Sequence, residues 1–204
     1  MKKITISFFA AVAMLAYACN GGAHETENKS AKTAHAEPPA SGEPVKQVKV
    51  TYTNVDAGVA THMKKLTDEY LALKNALTNG NANEAAGASK NMVDAMKGFD
   101  KSLLTAEQKQ VYDAEESSLK ENADHIAKSA SDLKHQRERF SGLSEDMYTL
   151  VKAFGGGKIL YHEYCPMARD DKGAMWLSES KAIRNPYFGD QMMECGTVEE
   201  EIIN

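Results

Sequence analysis

The stretch AEQKQVYDAEESSLKENADHIAKSASDLKHQRERFSGLSEDMYTLVKAF, residues 106–154, decides the fold. Val111, Leu119, Ala123, Ile126, Leu133, Phe140, Leu143, Met147, Leu150 and Phe154 keep one helical phase through it. Taken as a single helix it would run roughly 70 Å at 1.5 Å per residue. Nothing else in the chain could cover so long an apolar stripe. An antiparallel turn is therefore expected near Ser129-Ala130-Ser131-Asp132, where Ser and Asp can cap a following helix. Thr105 and Gln108 have the spacing of a capping box and open the first half.

Upstream, Val55, Val59, Met63, Leu66, Tyr70, Leu73 and Leu77 step by three and four, and Lys64, Lys65, Asp68 and Lys74 fall off that stripe. Asn79-Gly80 supplies a stop. A shorter helix follows with Met92, Val93, Met96 and Phe99 inward, weakened by Gly87 and Gly98. Helices are expected at about 55–79, 83–99, 106–130 and 132–154, ended by Gly155-Gly156-Gly157. Short connections make these an up-and-down four-helix bundle. The fold class expected is all-α, with a small irregular lobe of short strands and turns at 158–204. The bundle itself offers no chemistry. Its methionines read as core filler, and no Glu-x-x-His pair supports a di-iron site. His62, His125 and His135 read as surface residues.

Residues 1–18 have the layout of a secretory signal: Lys2 and Lys3, an apolar run from Ile4 to Leu15, then Ala16-Tyr17-Ala18. Cys19 follows the cut and is the expected lipidation site, although Leu15 stands four rather than three residues before it. The alternative is a plain periplasmic protein with a stray cysteine. Residues 19–47 read as the lipidated Cys and a disordered tether, with His24 and His35 as solvated linker residues. The core domain is expected over 48–204. Loss of Lys2 and Lys3 takes the formal charge from −5 to −7, which argues against nucleic acid as a partner. Localisation at the cell envelope follows, lipid-anchored on a periplasmic or outer-membrane face, with the lipid as the only membrane attachment.

The character of the chain changes in KILYHEYCPMARDDKGAMWLSESKAIRNPYFGDQMMECGTV, residues 158–198. Met167, Met175, Met192 and Met193 fall between Cys165 and Cys195, a fivefold enrichment over the rest of the mature chain, and they share no helical stripe. Thiolate and thioether sulfur are soft donors suited to Cu(I). Cys165 and Met167 are two apart across Pro166, Met192 and Cys195 are three apart, and His162 could add an imidazole. The candidate ligands are thus Cys165, Met167, Met192 and Cys195, with His162 and Met193 as further members. The rival reading is a Cys165–Cys195 disulfide. It would close a loop of about 30 residues and stabilise by roughly 3.5 to 4 kcal/mol. Trp176, Tyr161, Tyr164, Tyr187 and Phe188 would then form a stapled core. Both readings bring the two cysteines together. Ala174-Met175-Trp176-Leu177 is a candidate strand for pairing with 158–164, and Asn185-Pro186-Tyr187-Phe188-Gly189 is a turn.

Tyr164-Cys165-Pro166-Met167-Ala168, Gly173, Trp176-Leu177-Ser178, Ile183, Asn185 to Gly189, Met192 and Cys195-Gly196 resemble the signature of domain-of-unknown-function family 3347. Residues 136–154 are similar to that family's last long helix. The family occurs as small exported proteins and as an extra domain on periplasmic adaptors of heavy-metal efflux pumps. Tyr-x-Cys-Pro-Met also resembles the opening of short heavy-metal-binding domains of copper transporters, which continue with His where this chain has Ala168. The resemblance implies a metal-handling protein: copper as cargo, an efflux adaptor as partner, and no catalysis. A Cys165–His162 dyad lacks an orienting acid and an oxyanion-donating loop, so an enzyme is not expected. The alternative is a structural or interaction module of the envelope held by the disulfide.

Overall fold

The structure is a computed structural model and describes residues 44–204. The expected signal peptide, Cys19 and most of the expected tether lie outside the described residues. Four long helices form the larger layer: α1 (Ala57–Thr78), α2 (Ala82–Lys97), α3 (Ala106–Lys128) and α4 (Leu133–Phe154). Val59, Met63, Leu66, Tyr70, Leu73 and Leu77 of α1 are almost wholly buried, as are Phe140, Leu143, Met147 and Leu150 of α4. These are the stripe residues, and their burial is what holds the helices side by side.

The helix ends are fixed by local chemistry. Thr105 Oγ1 accepts from the Gln108 amide while Gln108 Oε1 accepts from the Thr105 amide, which completes the capping box. The chain breaks between Lys128 and Leu133, with Ser129 as C-cap of α3 and the Asp132 carboxylate accepting from the His135 amide at 2.9 Å. Gly155 closes α4 at φ 82°, where a Cβ would lie 2.4 Å from Asn204 Oδ1.

An all-α class is not what the chain adopts. Beside the helices stands a four-stranded mixed sheet of β1 (Lys46–Lys49), β2 (Leu160–Cys165), β3 (Ala174–Ser178) and β4 (Thr197–Ile203). The order is β1-β4-β2-β3, with β1 parallel to β4 and the other pairs antiparallel. The fold is therefore α+β, and the region after the bundle is a sheet rather than an irregular lobe. β2 and β3 pair as Tyr161 to Cys165 against Ser178 to Ala174. The unexpected strands are β1 and β4, the two ends of the described chain. Lys46 and Gln47, read as tether, are in β1.

Charge hides these strands in the sequence. β4 reads Thr-Val-Glu-Glu-Glu-Ile-Ile, yet Glu200 and Ile202 both turn inward. Glu200 is tolerated there because Lys46 Nζ reaches it at 2.6 Å, the Tyr148 hydroxyl donates to it at 2.6 Å, and Lys152 Nζ lies at 3.5 Å. Burial alone would raise its pKa. Lys46, Tyr148 and Lys152 outweigh that and hold it at about 2. The clasp joins β1, α4 and β4.

Two further expectations are corrected. His62 is buried, stacked on Phe99 at 3.9 Å and hydrogen-bonded through Nε2 to the Tyr112 hydroxyl at 2.9 Å. Burial first, and then Lys65, push its pKa down to about 4. Lys74, expected off the stripe, is also buried, because the sheet covers a flank of α1 that a bare bundle would leave in water.

Tyr70 ties helices to sheet. Its hydroxyl accepts from the Leu177 amide at 2.9 Å and shares a second hydrogen bond with Ser144 Oγ at 2.9 Å. Tyr70→Phe strands both partners in a fully buried place and is expected to lower the unfolding free energy by about 1–3 kcal/mol. Urea unfolding checks this, and an unchanged midpoint would show that the hydroxyl does not join the layers.

Candidate functional site

Cys165 ends β2 and is fully buried; Cys195 lies half-buried just before β4. The two are joined as a disulfide, with alpha carbons 5.8 Å apart. The sulfurs thus come together as both sequence readings require, and in the bridged form they are bonded to each other.

The loop that carries Cys195 back to β2 is held by more than the bridge. Asn185 is fully buried. Its Nδ2 donates to the Cys195 carbonyl at 2.7 Å and its amide donates to the Met193 carbonyl at 2.8 Å. Asn185 Oδ1 accepts from the amides of Tyr187 and Phe188 at 2.8 and 3.2 Å. This is why the turn begins with Asn: one side chain organises the turn and fastens the cysteine to it. The Tyr187 hydroxyl donates to the Met175 carbonyl at 2.7 Å. Arg137 of α4 donates to the carbonyls of Pro186 and Leu77 at 2.9 and 3.0 Å, which locks the loop against α4 and α1. Sequence reading gave Asn185 and Arg137 no part in the site. The Asn-Pro pair was visible as a turn, but its reach to residue 195 was not.

On the other side of Cys165 the backbone is strained. Arg169, Asp170 and Asp171 have φ of 57°, 56° and 61°, a left-handed run of three non-glycine residues. Each such residue costs about 1–2 kcal/mol. Gly173 follows at φ 78°, where a Cβ would stand 1.9 Å from the Tyr164 hydroxyl oxygen. Only glycine fits there, and the tight return from β2 to β3 depends on it.

The methionines divide by place. Met63, Met92, Met96 and Met147 of the helices are at most 4% exposed. None of the four between the cysteines is buried: Met175, Met192 and Met193 are half-buried, and Met167 is 47% exposed. The Cys195 amide donates to the Met192 carbonyl at 3.1 Å, so Met192 and Cys195 share a tight turn.

His162 is not brought to the cysteines. It lies three residues from Cys165 on β2, whose pairing with β3 is regular although its register with β4 shifts between His162 and Glu163, and the alternation along β2 puts it on the opposite face. It stacks on Tyr148 at 4.6 Å with Nδ1 3.8 Å from Glu199, and burial lowers its pKa despite Glu199 and Glu200. On the cysteine face sits Glu163 instead, fully buried and paired with Trp176 across the strands. Neither of its carboxylate oxygens, nor Trp176 Nε1, has a hydrogen-bond partner. Among the described residues, no three His, Cys, Asp or Glu side chains already converge on one point as a metal site would need.

The family described as "Protein of unknown function (DUF3347)" matches residues 66–158, from the middle of α1 to the glycines after α4. The match ends before Cys165, so none of the candidate ligands lies in it. No curated protein and no solved structure matches the chain.

Proposed function

The chain belongs to the DUF3347 family, and from the lobe beyond the matched span we propose that it binds a soft metal ion, Cu(I), in the reduced state of the Cys165–Cys195 pair. The observation that carries this is the contrast among the methionines. The helical ones fill the core, whereas the four between the cysteines stay wholly or partly in reach of solvent, where packing gives no reason for thioethers. Two thiolates and neighbouring thioethers are a Cu(I) donor set. His162, on the far strand face, is outside it.

Opening the site takes two electrons and two protons, delivered by a dithiol reductant that is itself oxidised to a disulfide. Cys195 is the sulfur such a reductant reaches, since Cys165 is fully buried. Copper then displaces the two thiol protons. Asn185 and Arg137 do not depend on the bridge, so they keep the sulfurs neighbours once it is open. As an exported lipoprotein anchored at Cys19, the protein would hold the ion at the envelope and pass it to an efflux adaptor. No step calls for catalysis.

The bridge itself favours a second reading, an envelope interaction module that the disulfide merely staples. Cu(I) titration of the reduced protein against a competing chelator separates the two. Cys165→Ser should lose at least tenfold in affinity and Met192→Leu a smaller part. Equal, weak binding by wild type and both variants would leave the stapled module as the reading.

A further inference from the structure

The fold sorts the thioethers of this chain into two populations with opposite exposure to oxidants. Met63, Met92, Met96 and Met147 belong to the hydrophobic core. Met167 is 47% exposed, and Met175, Met192 and Met193 are half-buried. The lobe does lay apolar side chains on the core, since Ile183, Phe188 and Cys195 pack there, but none of its four methionines joins them. Oxidation to a sulfoxide turns a flexible apolar side chain into a polar one. In the core the new oxygen would be buried without a partner. On the lobe water can solvate it, so the fold tolerates modification there.

The bridge narrows the choice of target. While Cys165 and Cys195 are bonded to each other, neither is a thiolate that a peroxide can attack. Thioethers are then the sulfur within reach of solvent among the described residues. Met167 leads them, exposed together with Pro166 and standing just before the short turn Ala168–Asp171. Met192 and Met193 come next, in the turn that ends at Cys195. Met175 differs from these. Ala174 is the residue opposite Cys165 across the strands, so Met175, next along β3, is on the other face.

We propose that Met167, followed by Met192 and Met193, is a site of reversible sulfoxidation by hydroperoxides, and that this modification closes the sulfur site to Cu(I). A thioether lone pair attacks the outer oxygen of the peroxide, and the S–O bond forms as the O–O bond breaks. The proton on that oxygen passes to the departing one, which leaves as water or an alcohol. Sulfur loses two electrons and the peroxide gains them. Methionine sulfoxide reductases reverse the step with electrons from a dithiol, which returns as a disulfide while the oxygen leaves as water. A sulfoxide offers hard oxygen where Cu(I) prefers soft sulfur. The effect on copper rests on the copper reading above, whereas the pattern of oxidation does not.

The test treats the full chain, its cysteines bridged, with rising hydrogen peroxide and maps the added oxygen by peptide mass spectrometry. Met167 should be modified first and Met192 and Met193 next, with Met63, Met92, Met96 and Met147 spared until urea unfolds the chain. Core methionines oxidised as early as Met167 would overturn the site. The cysteines are then reduced, and Cu(I) is titrated into treated and untreated protein against a competing chelator. Treatment should weaken binding at least about fivefold, and reductases for both sulfoxide epimers should restore it. A variant carrying Met167→Leu, Met192→Leu and Met193→Leu keeps Met175, and its affinity should be the same before and after peroxide. Equal affinity of treated and untreated wild type would overturn the switch and leave the copper reading standing. Absence of binding by the untreated protein would instead sink the copper reading, and the switch with it.

Discussion

Replacing Cys165 and Cys195 together by alanine should lower the unfolding free energy by about 3.6 kcal/mol. The bridge spans 30 residues, and the chain-entropy relation gives that figure for a loop of this size. The loss should come mainly from a less restricted unfolded chain. Asn185 on the Cys195 carbonyl and Arg137 on the Pro186 carbonyl hold the native loop beside the bridge, and they should keep it in place once sulfur is no longer bonded to sulfur. Urea unfolding of the wild type with and without reductant, beside the double variant, measures it. The reduced wild type and the variant should agree within about 1 kcal/mol, the variant bearing only a lost pair of small side chains. A loss under about 1 kcal/mol in both would mean that the bridge constrains little. A collapse of the near-ultraviolet signal from Trp176 on reduction would mean that it alone holds the loop. The second outcome would also remove the basis for sulfurs that stay together after reduction, and with it the proposed copper site.

The helices were legible because each announces itself within a few turns. Seven apolar residues from Val55 to Leu77 repeat at three and four, and such a repeat has no other economical use in water. Even the break in the phase-perfect run of 106–154 could be placed, since an uncovered stripe is a physical contradiction and Ser129 to Asp132 is where capping is cheap. The sheet was another matter. Val48 of β1 and Ile202 of β4 are partners across more than 150 residues, and each strand alone carries too much charge to read as one. Glu200 looks like a solvated tail residue until Lys46, Tyr148 and Lys152 are seen around it. Partners contributed by two distant segments, β1 and α4, leave no mark in a local window.

The same limit explains the misread residues of α1. Lys74 and His62 sit beside the apolar stripe, and a helix packed only on helices would have left Lys74 wet. The sheet buries Lys74, and Phe99 with Tyr112 buries His62. For the lobe, spacing between Cys165 and Cys195 argued that they meet but could not distinguish a bond from a shared ion. His162 failed as a neighbour for a simpler reason. Three residues on a helix lie on one face, whereas three residues on β2 lie on opposite faces. Its distance in sequence was informative only once the element type was known.

The buried carboxylate of Glu163 should make itself felt as a pH dependence of stability. Burial pushes its pKa up to about 8; Lys74 and the nearby Trp176 and Ser178 side chains recover only part of the loss. The folded chain therefore keeps a proton on Glu163 that the unfolded chain releases near the ordinary carboxylate value of 4.5. Below that value both states are protonated and there is no penalty. As pH rises from there towards 8 the folded state binds more protons than the unfolded one, so stability falls, and above 8 the penalty is constant. Glu163→Gln removes the titration while keeping the shape. His62 runs in the opposite sense between about 4 and 6.5, because its folded pKa is depressed, so the prediction concerns the difference between the two proteins. That difference should grow in favour of Glu163→Gln by about 3 to 4 kcal/mol between pH 5 and pH 8. Lys74→Met should carry the upper end of the window to higher pH, since the ammonium is the one charge that favours ionised Glu163. Urea unfolding at half-unit pH steps gives the three curves. If wild type and Glu163→Gln stay parallel across the range, Glu163 is already charged and satisfied in the folded protein, and the cost assigned to its burial is wrong.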